Sequence, residues 1–199
     1  MGRRSDAKPR IIQTAKKLFH ERGYQAVGVS ELCGASDVNK GSFYHFFPSK
    51  RHLLLEVLSG SWDETGILSS WLKEPPASPR RELRHYLREL FAFHYAEWEV
   101  SGYVRGSILG NLSAEIGTAN EPNIVKELKR LSDQQRRAFR ALLIADRKTG
   151  DFSTEDINRN ADGLLASIQG LLLLAKIRND LSVLPASESM LTNIAGMSD

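Results

Sequence analysis

An all-helical chain is expected from three observations. Apolar residues recur three and four apart throughout, and no stretch alternates in the manner of a strand. A tight pair of short helical segments occupies residues 29–47. The breaker Pro75-Pro76-Ala77-Ser78-Pro79 separates this N-terminal part from longer helices beyond it.

Each element follows from local chemistry. Ile11, Ile12, Ala15, Leu18 and Phe19 define the first helix, with Asp6 a candidate N-cap, Pro9 tolerable in the first turn and Gly23 a stop. The short segments 29–36 and 39–47 meet at a turn near Ser36-Asp37, and Asn39 can cap the second of them. Pro48 opens a longer helix that carries Leu53, Leu54, Val57, Leu58 and Trp62. Past the breaker, Leu83, Tyr86, Leu87, Leu90, Phe91, His94 and Trp98 give an aromatic-rich helix that fails near Gly102.

Two long helices follow, parted by Thr149-Gly150-Asp151. Ile124, Leu128, Leu131, Gln135, Ala138 and Leu142 step along the first at spacings of 4-3-4-3-4, and Ile157, Ala161, Leu164, Ile168, Leu171 and Ala175 repeat that pattern on the second. Such stripes suit bundle packing. The second helix is also apolar at Leu165, Leu172, Leu173 and Leu174, so it must be covered on more than one side. Gly163 and Gly170 each cost about 1 kcal/mol relative to Ala in a helix interior. A close backbone approach would account for them. The expectation is a homodimer whose seam holds Leu128, Leu131, Leu142, Leu164, Ile168 and Leu171.

The chain has 199 residues, 41% of them hydrophobic and 26% charged, the composition of a soluble protein with one large or two small domains. Its longest aliphatic run, Leu171 to Ala175, is far short of the ~20 residues of a membrane span, so no membrane association is expected. The single cysteine, Cys33, rules out an internal disulfide or a multi-cysteine zinc site and reads as a small core residue, which suits the cytoplasm. Charge is uneven. Residues 1–52 hold ten Lys/Arg and four acids, net +6, whereas residues 53–199 hold seventeen and twenty, net −3. A basic end on a mildly acidic body points to a polyanionic partner.

Within residues 39–47, Phe43 and Phe47 lie four apart and can pack inward. Lys40 and Tyr44 share another face, Gly41 and His45 a third, with Ser42 between them. An ammonium, a hydroxyl, a phenol and an imidazole beside a glycine suit a helix lying in a DNA major groove. Lys50 and Arg51 open the next helix and can grip the phosphate backbone.

The run Gly41-Ser42-Phe43-Tyr44-His45-Phe46-Phe47-Pro48-Ser49-Lys50, followed by Leu53-Leu54, closely resembles the DNA-binding signature of the TetR family of bacterial repressors, over about residues 10–58. The resemblance implies that the helix starting near Asn39 is the recognition helix. It implies that Tyr44 and Lys50 hold phosphates and that Lys40, Ser42 and His45 face the DNA. It further implies an operator of double-stranded DNA built as an inverted repeat, and a remainder that binds a small-molecule effector and dimerises. The domains expected are thus 1–50 for DNA and 51–199 for ligand and dimer. Three positions depart from the family pattern: Gly28 stands where threonine is common, Leu32-Cys33 replaces Ile-Ala, and Ser36-Asp37 replaces the turn Ala-Gly. Asp37 can adopt the left-handed conformation in place of the glycine. Gly106 to Glu115 resembles a segment of one subset of the family in which some members carry cysteine at the position of Ser107. Without that thiol, the effector is expected to bind reversibly.

Phe91, His94, Tyr95 and Trp98 fall within two turns, and with Trp62 and Asn111 they are the expected effector contacts, apolar walls with a few polar groups. An enzyme is not expected. Glu82-x-x-His85 has no second copy, His94 and Glu97 lack a third ligand, and there is no P-loop, dinucleotide fingerprint or nucleophile elbow, so neither a metal nor a cofactor is called for. The alternative reading is a helical adaptor without DNA binding, which leaves the basic N-terminal quarter unexplained.

Overall fold

The computed structural model describes residues 6–116, 121–146 and 154–197. In chain order the helices are α1 (Ala7–Arg22), α2 (Val29–Ala35), α3 (Lys40–Phe46), α4 (Lys50–Ser59), α5 (Ile67–Lys73), α6 (Pro79–Ser101), α7 (Ile108–Glu115), α8 (Pro122–Asp146), α9 (Thr154–Arg178), α10 (Val183–Ala186) and α11 (Glu188–Ile194), and no strand occurs among the described residues. The expected break at Thr149-Gly150-Asp151 lies outside the described residues.

Two compact units are present. The first comprises the described residues up to Ser61 together with Ile108–Leu131, and the second comprises Trp62–Ser107 with the described residues from Ser132 onward. The division into compact units therefore differs from the one expected at residue 50. α4 packs on α1 through buried Leu53, Leu54, Val57 and Leu58, so it belongs with the helices before it.

In the first unit α1 packs against α2, α3, α4 and α7. Ile11, Ala15 and Phe19 of α1 meet a core that includes Leu32, Cys33, Phe43, Phe47, Ile108 and Leu112, all buried. Gly23 stops α1 with a φ of 84°. Asp6 does stand at its N-cap position, but its side chain makes no capping hydrogen bond, and its backbone is already helical at φ −101° and ψ −5°. The favourable cap geometry needs an extended backbone, which aims the carboxylate at the free amides. Ser49 has it (φ −159°, ψ 165°) and caps α4, where its Oγ accepts from the His52 amide at 3.4 Å. That helix stops at Gly60, one turn earlier than expected, and leaves Trp62 in the connection to α5.

In the second unit Trp71, Tyr86 and Phe139 form a ring cluster with centroids 5.6–6.3 Å apart. α9 buries Ile157, Ala161, Leu164, Ile168, Leu172 and Ala175 in the same core. The seam expected between protomers is thus spent inside the chain: Leu128, Leu131, Leu142, Leu164 and Ile168 are buried, and Leu171 is half-buried. Within the chain itself, neither glycine of α9 meets a neighbouring backbone. A Cβ on Gly163 would meet the Ile194 side chain at 3.0 Å, and one on Gly170 would meet nothing within 4 Å. The face of α9 left exposed runs through Ala166, Gly170, Leu173 and Ile177, again at 4-3-4 spacing. Among the described residues, no helix is long and apolar enough to cross a membrane.

Candidate nucleic-acid interface

α2 and α3 form a helix-turn-helix whose turn depends on two side chains. Asp37 takes φ 51°, the left-handed value for which glycine would otherwise be needed. Its carboxylate lies 3.7 Å from the Arg10 guanidinium, which offsets a negative charge at this end of the unit. Asn39 then caps α3, its Oδ1 accepting from the Ser42 amide at 2.7 Å with Asn39 in an extended backbone.

Helical pitch sorts the seven residues of α3. Phe43 is wholly buried and, with Phe47 (ring centroids 5.9 Å apart), ties the helix to the core. Lys40, Gly41, Tyr44 and His45 are exposed, and Ser42 is half-exposed. Tyr44 stands 53% exposed on the edge of the Phe43 ring, a large polar-tipped side chain with no core role. The structure therefore brings five of the six expected DNA contacts onto one short, capped, solvent-facing helix.

Lys50 is placed differently from the phosphate contact expected. Its ammonium donates to the carbonyls of Tyr24 at 2.9 Å and Val27 at 3.0 Å, and it lies 4.2 Å from the centroid of the Tyr24 ring. Partial burial lowers its pKa, while Glu115 and Glu121 act to raise it. An ammonium has three donors, and two are spent on the α1–α2 connection.

The expected effector residues separate into three places. Phe91, Tyr95 and Trp98 of α6 line a cleft of about 420 Å³, closed on its other side by Leu181, Leu184 and Pro185 after α9. Asn179 holds that side in position. Its Oδ1 accepts from the Val104 amide at 2.8 Å and its Nδ2 donates to the Gly102 carbonyl at 3.3 Å, with its own φ at 50°. Nε1 of Trp98 is buried without a hydrogen-bond partner among the described residues. His94 is not in this cleft. Successive helix residues point about 100° apart, so His94 turns into the core while Tyr95 faces out, 53% exposed. Trp62 packs on the core of the same unit, and its carbonyl accepts from Gln135. Asn111 lies on α7, in the first unit.

Burial lowers the His94 pKa from 6.5 to about 4. Its Nε2 lies 3.8 Å from a Glu64 oxygen, beyond hydrogen-bonding distance, so burial outweighs the carboxylate and the ring is neutral near pH 7. Neutral His94 contributes stability that is fully present above pH 6.5 and is lost as pH falls toward 4, because the unfolded chain binds the proton first. The contribution is at most about 3 kcal/mol. Urea midpoints between pH 7.5 and 4.5 should fall less steeply for His94→Gln than for the parent chain. Parallel curves would mean that His94 does not titrate in this window.

Among known proteins, residues 11–57 match the model of the family described as bacterial regulatory proteins, tetR family. The chain is 29% identical over 180 residues to the transcriptional repressor DhaR of Mycobacterium sp. strain GP1, covering 89% of this chain and 86% of that one. The chain belongs to the TetR family of helix-turn-helix transcriptional regulators. It is 28% identical over 173 residues to the transcriptional regulator AcuR of Cereibacter sphaeroides, 84% of this chain and 75% of that protein. The fold agrees with that of the regulatory protein TetR from Rhodobacter sphaeroides, with a TM-score of 0.76, 24% identity and coverage of 96% and 98%. It agrees equally with reduced NemR of E. coli, with a TM-score of 0.77, 23% identity and coverage of 94% and 96%. These TetR-family regulators are not enzymes, and α3, with Lys40, Gly41, Ser42, Tyr44 and His45, falls inside the matched segment.

Glu115 was missed in sequence. It lies in the quoted run Gly106–Glu115, where spacing assigns it no partner, yet it hydrogen-bonds to two amides ninety residues earlier.

Proposed function

We propose that this TetR-family chain is a homodimeric repressor that binds an inverted-repeat operator and is released by a reversibly bound small molecule. The observation that carries it is the outward face of α3. Four groups able to reach base edges or phosphates project beside Gly41 from one capped helix, and Phe43 and Phe47 fix its register against the core. Lys40, Ser42 and His45 read bases, and Tyr44 holds a phosphate. The first compact unit is the DNA-binding part, and the second binds the effector and dimerises. It works in the cytoplasm, where the operator is accessible.

The effector occupies the cleft at Phe91, Tyr95 and Trp98, whose mostly apolar walls suit a small apolar molecule. Cys33, the one thiol, is buried in the DNA-binding unit with its pKa raised by burial, which favours reversible sensing. The second copy covers Ala166, Gly170, Leu173 and Ile177 of α9, an apolar stripe whose glycine leaves room for a backbone. Release is a population shift: a ligand that prefers the dimer with mis-spaced α3 helices lowers affinity by its preference for that state.

Hydroxyl-radical footprinting of the full chain on the DNA flanking its own reading frame tests the reading. Two protected patches related by a twofold axis, about one helical turn of DNA or more apart, are expected. A single asymmetric patch would contradict the symmetric dimer.

A further inference from the structure

The connection between α1 and α2 is gripped from two sides by groups of opposite charge. Gly23 ends α1 with positive φ, and the next two amides, Tyr24 N–H and Gln25 N–H, donate to the two oxygens of Glu115 at 2.8 and 2.6 Å. One carboxylate thus satisfies two successive amides at the end of α7. A Cβ at Gly23 would lie 2.8 Å from Glu115 Oε2 and 3.0 Å from its Cδ, so the glycine answers both the backbone angle and the close carboxylate. From the other side, the Lys50 ammonium takes the Tyr24 and Val27 carbonyls. Beside it Arg51 pairs with Glu121 at 3.7 Å, a second link from the segment that carries Glu115.

This connection sets where α2 starts relative to α1, and α3 packs on both of them. Hydrogen bonds to an ionised acceptor are the stronger kind, so two on adjacent amides fix the backbone more firmly than water would. We infer that Glu115 is a positioning residue for operator binding: through the Tyr24 and Gln25 amides it holds the α1–α2 connection, and with it the helix-turn-helix, in the geometry that engages DNA. The residue lies outside the matched segment 11–57, and its two carboxylate oxygens are engaged by amides of the chain itself. This role rests on α3 as the DNA-reading helix.

The test uses the full chain and duplex DNA carrying its footprinted site, with Glu115→Ala, Glu115→Gln and Gly23→Ala. Three quantities are read: operator affinity across a salt series, amide exchange at Tyr24 and Gln25, and the thermal unfolding curve. Glu115→Ala should lower affinity roughly tenfold or more, in line with two charge-assisted bonds. The slope of log affinity against log salt should not change, because no phosphate contact is lost. The Tyr24 and Gln25 amides should lose protection selectively. Glu115→Gln keeps the size and one acceptor, so it should recover part of the affinity and protect one of the two amides. Gly23→Ala should weaken binding similarly, and combining it with Glu115→Ala should cost less than the two separate effects multiplied.

Affinity within twofold of wild type in a folded Glu115→Ala chain whose two amides have become exposed would overturn the inference. So would a salt slope reduced by about one, the mark of a lost phosphate contact. Should Glu115→Ala fail to fold, Glu115→Gln decides by the same two criteria. Failure of the wild type to bind any footprinted site would count against the reading of α3 instead.

Discussion

Leu173→Glu combined with Ile177→Glu should give a folded monomer whose operator affinity falls by at least about a hundredfold. Leu173 is 54% and Ile177 72% exposed, so charging them disturbs little inside the chain. In a twofold dimer each change is felt twice, and burial of a Leu or Ile side chain is worth about 1.5–3 kcal/mol. The carboxylates would also face one another in a desolvated interface. DNA affinity falls with dissociation because the two half-sites then bind independently and the effective concentration of the second is lost. Gly170→Leu separates interface from fold more sharply. A Cβ there meets nothing within the protomer, and replacing glycine inside a helix favours the helix by up to about 1 kcal/mol, so the protomer should hold its stability while the dimer weakens. Sedimentation at micromolar concentration checks both variants, and a dimer as tight as wild type would remove α9 from the interface.

The second large effect belongs to α3. Lys40→Ala and Ser42→Ala should leave the melting temperature nearly unchanged, since neither side chain is buried. Each should cost about 1–3 kcal/mol at the base pair it reads and relax sequence preference there. Tyr44→Phe should weaken all DNA sequences to the same degree, as expected of a hydroxyl on a phosphate. Selection of bound sequences from a randomised duplex pool separates these patterns. Unchanged selected sequences for both Lys40→Ala and Ser42→Ala would mean that another element reads the bases.

Much of α3 could be read from spacing because the helix is short and Phe43, with Phe47 at its C-cap, is buried on one side. The Asn39 cap and the left-handed Asp37 are local in the same sense, since each depends on residues within three positions. α9 resisted the same treatment. It is apolar nearly all round, and both Ala161-Leu164-Ile168-Leu172-Ala175 and Ala166-Gly170-Leu173-Ile177 run at three- and four-residue spacing. Periodicity alone cannot say which stripe meets the core, and the stripe chosen for the dimer was the buried one. Residues 91, 94, 95 and 98 look contiguous in sequence, but a 100° step between neighbours puts His94 and Tyr95 on different sides. The bonds from Lys50 to the carbonyls of Tyr24 and Val27 could not be read locally, because those residues lie more than twenty positions away. Glu115 and Asn111 depend on Ile108–Leu131 joining the first unit, a long-range pairing that no local pattern announces.

The central claim is that the exposed face of α3 reads a specific twofold-symmetric site. Its most direct test is a titration of the full chain with two duplexes at one stated salt concentration. One carries the footprinted inverted repeat, and the other has both half-sites scrambled at constant composition. The account predicts binding at least about a thousandfold tighter to the intact repeat, within the usual range for specific over non-specific sites. Equal affinity for the two duplexes would contradict it.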